Sequence, residues 1–69
     1  MVRYRQEHSD GRAYFERMLY PADEAGKIWV YEYYAVDSKT EEEYYSREYI
    51  PAERAEMMLK GENWEVLEW

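Results

Sequence analysis

His8 and Asp10 are the first residues whose types and spacing suggest chemistry, since a carboxylate two positions from an imidazole can orient it as a general base. They flank Ser9 and precede Gly11, in a stretch that reads as a polar turn. No serine or cysteine nucleophile lies in a recognisable elbow, and no glycine-rich loop precedes a helix to cradle a phosphate. Glu41, Glu42 and Glu43 are three consecutive carboxylates that could attract a cation. On a strand or loop they point in different directions, and no second ligand cluster accompanies them, so they read as a solvated turn. With no cysteine and one histidine, thiolate and His-rich metal sites are excluded. Paired carboxylates for glycoside chemistry need a substrate cleft, which a chain of 69 residues rarely forms. The expectation is a protein that binds a partner rather than an enzyme, with no cofactor and no metal.

The second kind of chemistry is recognition. Tyr31-Glu32-Tyr33-Tyr34, Glu43-Tyr44-Tyr45 and Glu48-Tyr49 interleave rings with carboxylates. Tyrosine brings large contact area at low entropy cost, and a neighbouring carboxylate can pair with Arg or Lys on a basic partner. Each cluster alone also reads as a solvated sheet face with Tyr chosen for strand propensity. Together, in a chain with surplus rings, they point to an interface. The residues expected to carry it are Asp37, Glu41, Glu42, Glu43, Tyr44 and Tyr45, with Asp23 and Glu24 in second place.

Those residues must be positioned by a small set of elements. Val2 to His8 alternates, with Val2 and Tyr4 on one face and Arg3, Arg5 and Glu7 on the other, as a strand with one wet face does. Ser9-Asp10-Gly11 reads as a hairpin turn. Arg12 to Tyr20 is a second strand, with Ala13, Phe15 and Leu19 on one face and Arg17 as the discordant member. Pro21 to Gly26 is a loop. Lys27 to Val36 is the strongest strand, apolar on both faces and hence central or covered by a partner. Asp37 to Glu43 is a polar turn. Tyr44 to Ile50 reads as a fourth strand, with a short helix starting at Thr40 as the rival reading.

Pro51 to Lys60 is the clear helix. Proline is tolerated at the first helical position, and Ala52, Ala55, Met58 and Leu59 form a core-facing stripe. Gly61 reads as the left-handed residue that ends it. Asn63 to Trp69 alternates and closes the sheet, with Trp64 and Val66 turned to the core. The expected fold is α+β: one domain over residues 1–69, an antiparallel sheet of four to five strands with one short helix on one face, in the order β-β-β-β-α-β.

Nine Tyr, three Trp and one Phe make 19% of the chain, and at roughly 150–250 Å² each they exceed what so small a core can bury. Several rings should therefore be exposed, as at an interface or in a homodimer. No run of 18 apolar residues spans a membrane, and Met1-Val2-Arg3-Tyr4-Arg5 lacks the apolar core of a signal peptide. With no cysteine, a cytoplasmic location is expected.

The net charge is −7 and unevenly spread. Residues 1–17 carry four Arg against three acids, whereas residues 18–69 carry five basic against thirteen acidic residues. Such a surface repels nucleic acid and anionic lipid and suits a basic protein partner. In size, acidity and lack of cysteine the chain resembles phage-encoded inhibitors of host defence or repair enzymes: anti-restriction, anti-CRISPR and uracil-glycosylase inhibitor proteins. The resemblance is compositional, and no motif carries residues over. It implies an inhibitor seated on the basic, nucleic-acid-binding surface of an enzyme. The alternative is an assembly protein that homodimerises through an aromatic sheet face. Outright DNA mimicry is demanding. A sphere of about 28 Å, from a radius of gyration of about 11 Å, would carry one net charge per about 4 Å, against about 1.7 Å in duplex DNA. It would work only if the acids of Asp23-Glu24 and Asp37 to Glu43 collect on one face.

Overall fold

A computed structural model of the chain describes residues 2–68. In chain order the elements are β1 (Val2–Ser9), β2 (Ala13–Pro21), β3 (Ile28–Asp37), β4 (Glu43–Pro51), α1 (Ala52–Gly61) and β5 (Glu65–Glu68). The five strands form one sheet in the order β4-β3-β2-β1-β5, and every neighbouring pair is antiparallel. Trp69 lies outside the described residues. The fold is the expected α+β arrangement, and residues 43–51 are strand rather than helix. Tyr45 pairs with Tyr34 and Ile50 with Trp29 in the β3–β4 register, so this segment's ring-rich ends are used in cross-strand packing.

β1 to β4 are successive hairpins. Asp10 Oδ1 accepts the amides of Arg12 and Ala13 at 3.1 and 3.0 Å, and Gly11 adopts φ +83° to close the first turn. The turn between β3 and β4 repeats the device: Asp37 Oδ1 accepts the amides of Lys39 and Thr40 at 2.8 and 3.3 Å. Ser38 ties the two turns together, its amide donating to the Arg12 carbonyl at 2.8 Å.

After β4 the chain must travel from one edge of the sheet to the other, because β5 pairs with β1. Reaching β5 from β4 spans four inter-strand gaps, about 19 Å, whereas a ten-residue helix is about 15 Å long, and residues 62–64 complete the passage. The helix packs on β4 and β3 over Ile50 and Leu19 and leaves the other end of that face uncovered. No side chain caps α1. Its N-terminal residue Pro51 lacks the group, and the Ala52 amide donates instead to the Lys27 carbonyl at 3.1 Å. Proline thus sits at the cap rather than one position inside. Gly61 also departs from expectation. It continues the helix without a positive φ, and the chain leaves through extended Glu62 because it heads directly into β5.

The core lies under α1. Leu19, Ile50 and Ala55 are fully buried, with Tyr4, Trp29, Tyr31, Met58, Leu59 and Trp64 packed around them. Val66, expected in this core, is 53% exposed. α1 makes its contacts with β3 and β4, on the far side of the sheet from the β5 edge strand that holds Val66. Arg17, discordant in the sequence, lies where the helix ends. It donates to Gln6 Oε1 at 2.7 Å, to Glu62 Oε2 at 2.9 Å and, through Nε, to the Tyr31 hydroxyl at 3.0 Å, with the Trp64 ring centroid 5.0 Å from its guanidinium.

The molecule is longer than a sphere of its mass. Its radius of gyration is 13.1 Å and its extents are 42 × 23 × 20 Å, because strands of eight to ten residues set the long axis. Among the described residues no helix is long and apolar enough to cross a membrane.

Candidate protein-binding face

The two faces of the sheet follow from the register. One face carries α1. On it the row His8, Phe15, Ala35 and Tyr44 runs across β1 to β4, at the end of the sheet that the helix does not reach. The rings form a continuous strip. His8 stacks on Phe15 with centroids 6.2 Å apart, Phe15 meets Tyr33 at 6.3 Å, and Tyr33 meets Tyr44 edge-on at 5.7 Å. Tyr44 is 60% exposed.

A hollow flanks the strip on each side, and Phe15 lines both. The larger, about 520 Å³, lies between Phe15, His8 and Arg17 on the strands and Asn63, Trp64 and Glu65 on the incoming β5 segment. The smaller, about 400 Å³, lies over Ala13 and Ala35, whose small side chains leave the space, and is rimmed by Asp37, Glu42, Glu43 and Tyr44.

The charge on the two rims differs in kind. Beside the larger hollow the acids are matched: Arg5 pairs with Glu7 and lies 3.9 Å from Glu65, and Arg17 pairs with Glu62. At the smaller hollow, Asp37, Glu41, Glu42 and Glu43 crowd one turn with only Lys39 among them, and none forms an ion pair among the described residues. Glu41 is held at φ +60°, a left-handed conformation that costs a residue with a Cβ about 1–2 kcal/mol. Its amide donates to the Asp37 carbonyl at 2.8 Å, which projects the acidic tip beyond the sheet.

The structure therefore brings Asp37, Glu42 and Tyr44 to one hollow, with Glu41 in the same turn; Glu43 also lines it, but its carboxylate accepts the Tyr34 hydroxyl at 3.2 Å on the opposite face. It does not bring the others. Tyr45 projects from the opposite, helix-free face and donates to Glu32 Oε2 at 3.0 Å. Asp23 and Glu24 lie in the β2–β3 loop at the other end of β3. Ten residues of strand put roughly 30 Å between them and the acidic turn. Asp23 has a local duty there, accepting the Lys27 amide at 3.0 Å. His8, considered from sequence only as an imidazole beside Asp10, and Phe15 and Tyr33, not among the residues expected to carry the interface, complete the strip. The Asp-Gly turn was the available signal, because it fixes the hairpin register that sets His8 opposite Phe15.

The helix-free face is chemically quieter. Tyr20 and Tyr45 both donate to Glu32, Tyr34 to Glu43 and Tyr14 to Glu16. Burial, then the bond to Glu32, pushes the Tyr20 hydroxyl above its ordinary pKa of 10.0. For Tyr45 the Glu32 bond is the larger cause of the same upward shift. Val30 is buried on this face, with Tyr20 and Tyr49 as its register partners on either side. Asp10, a candidate partner for His8, is turned to the Arg12 and Ala13 amides, which hold its carboxyl below its ordinary 3.8. Among the described residues no three His, Asp or Glu side chains converge on a point that would hold a metal ion.

No protein-family description, curated protein or solved structure matches the chain.

Proposed function

We propose that the chain is a small acidic protein-binding inhibitor that seats a basic segment of its partner across the uncovered half of the helix-bearing face. The observation that carries this reading is the acidic turn, whose Asp37, Glu41 and Glu42 form no ion pair among the described residues, standing beside the exposed ring of Tyr44. The carboxylates steer and pair with Arg or Lys. Tyr44, Tyr33 and Phe15 supply the desolvated area that holds the complex. A segment alternating basic and apolar residues fits both the hollow and its rim.

A basic surface of this kind is what a nucleic-acid-handling enzyme presents to its substrate, and occupying it would inhibit the enzyme, as in host-defence or repair inhibitors. Local capture suits the geometry better than imitation of a duplex. Seven net charges along 42 Å is one per about 6 Å, well below the density of DNA, and the two acidic loops lie at opposite ends.

The test is capture of a partner by the immobilised chain from bacterial lysate, then challenge with duplex DNA and with salt. A partner displaced by both, and not captured by the Glu41→Lys/Glu42→Lys/Glu43→Lys variant, supports the reading. Equal capture by that variant removes the acidic turn from the account.

A further inference from the structure

β4 is an edge strand, nine residues long, and among the described residues no strand pairs with its outer side. Exposed edges of this length invite another strand, and charge usually serves to repel it. Here the charges have a pattern. Read outward from Ser46, the sequence Glu43-Tyr44-Tyr45-Ser46-Arg47-Glu48-Tyr49 is complementary to itself.

An antiparallel pair of identical strands related by a two-fold axis through Ser46 sets Ser46 opposite its own copy. Tyr45 then faces Arg47, Tyr44 faces Glu48, and Glu43 faces Tyr49. Every pair joins a ring or its hydroxyl to a charge that it can stack under or donate to. The rings of Tyr44, Tyr45 and Tyr49 are accessible, each more than half exposed, with the Tyr45 hydroxyl bonded to Glu32 and the Arg47 guanidinium 5.6 Å from the Tyr49 ring of its own strand. Moving the axis one residue to Arg47 sets that guanidinium against itself. Moving it the other way, to Tyr45, sets Arg47 against Glu43 but brings Glu48 against Glu42 just beyond the strand and sets Tyr45 against itself. The net charge of this stretch is small for an acidic chain, with Glu43 and Glu48 against Arg47.

We propose that two copies of this chain pair edge to edge through β4, antiparallel and centred on Ser46, to make one continuous ten-stranded sheet. The axis stands perpendicular to the sheet, so both helices lie on the same side. The helix-covered half of one copy then stands beside the uncovered half of the other, and Glu48 of one copy joins the rim around Tyr44 of its mate. The inference is independent of which partner protein the face binds.

The chain has no cysteine, so single-cysteine variants report the register cleanly. Side chains directly opposite in a sheet have Cβ atoms about 5 Å apart, close to the roughly 4 Å of a disulfide. In a glutathione redox buffer, Ser46→Cys is expected to form a linked dimer at least about tenfold faster than Glu24→Cys or Glu48→Cys. Sedimentation equilibrium of the unmodified chain is expected to show a dimer, and Arg47→Glu a shift toward monomer with an unchanged far-ultraviolet spectrum. A chain that stays monomeric at every concentration reached overturns the proposal, as does a dimer in which Ser46→Cys links no faster than Glu24→Cys.

Discussion

Tyr44 and Tyr45 are adjacent in sequence and work on opposite sides of the sheet. The Tyr44 ring meets Tyr33 edge-on at 5.7 Å in the uncovered strip, whereas the Tyr45 hydroxyl donates to Glu32 at 3.0 Å on the far face. Strand alternation forces this division, and it separates a ring available to a partner from one held in an internal polar network. Tyr44→Ala should therefore weaken partner capture by about 2 kcal/mol with little change in melting temperature. Tyr45→Phe should leave capture intact. Equal losses of capture from both substitutions would mean that the site is not confined to one face.

Glu41 stores backbone strain at the tip of the acidic turn. Replacing it with glycine relieves a left-handed conformation, so Glu41→Gly should raise stability by about 1 kcal/mol while removing one carboxylate from the site. A thermal melt checks the first effect and partner capture the second. An unchanged melting temperature would mean that the turn relaxes without strain.

Arg17 joins the sheet to the segment that leads into β5. Burial disfavours its charge, but the hydrogen bonds to Tyr31 and Glu62 more than compensate, and its pKa is raised. Arg17→Ala should cost about 1–3 kcal/mol, since it strands the half-buried Gln6 and Tyr31 groups as well as losing its own bonds. Arg17→Lys should recover only part of this, because an ammonium cannot fork to three partners. Urea titration distinguishes the three proteins.

The pH dependence has a direction on each flank. Tyr20 and Tyr45 have folded pKa values above the ordinary 10.0, so their neutral, donating forms are favoured in the fold. Their contribution is complete below pH 10 and is lost as pH rises through the raised values. Melting temperature should fall on that alkaline flank, and less steeply in Tyr20→Phe/Tyr45→Phe. Asp10 behaves oppositely. Its folded value lies below 3.8, so its contribution is present above that pH and is lost as pH falls through the depressed value. Asp10→Asn should flatten the acid side of the profile.

Much of this architecture is legible in the sequence because its signals are local. The alternation in each strand, the Asp-Gly turn and the Ala55, Met58, Leu59 stripe each specify an element without reference to the rest. The destination of the chain after α1 is not local. Pairing of β5 with β1 draws the chain out of α1 through extended Glu62, which explains why Gly61 stays helical and why Arg17 meets Glu62 and Trp64, and it leaves Val66 exposed because α1 packs on β3 and β4. The site was half legible for the same reason. Composition marks Asp37 to Tyr44 as acidic and aromatic, but His8, Phe15 and Tyr33 join it only through cross-strand register. Asp23 and Glu24 leave it only once β3 is seen to hold them at the opposite end.

The most direct test of the binding face is an amide-correlation NMR titration of the chain with a synthetic peptide of alternating Arg and Leu. The largest shifts are expected at Phe15, Tyr33, Asp37, Glu42 and Tyr44, diminishing as salt is added. Largest shifts at Asp23 and Glu24, or on the face that carries Tyr20 and Tyr45, would contradict this placement.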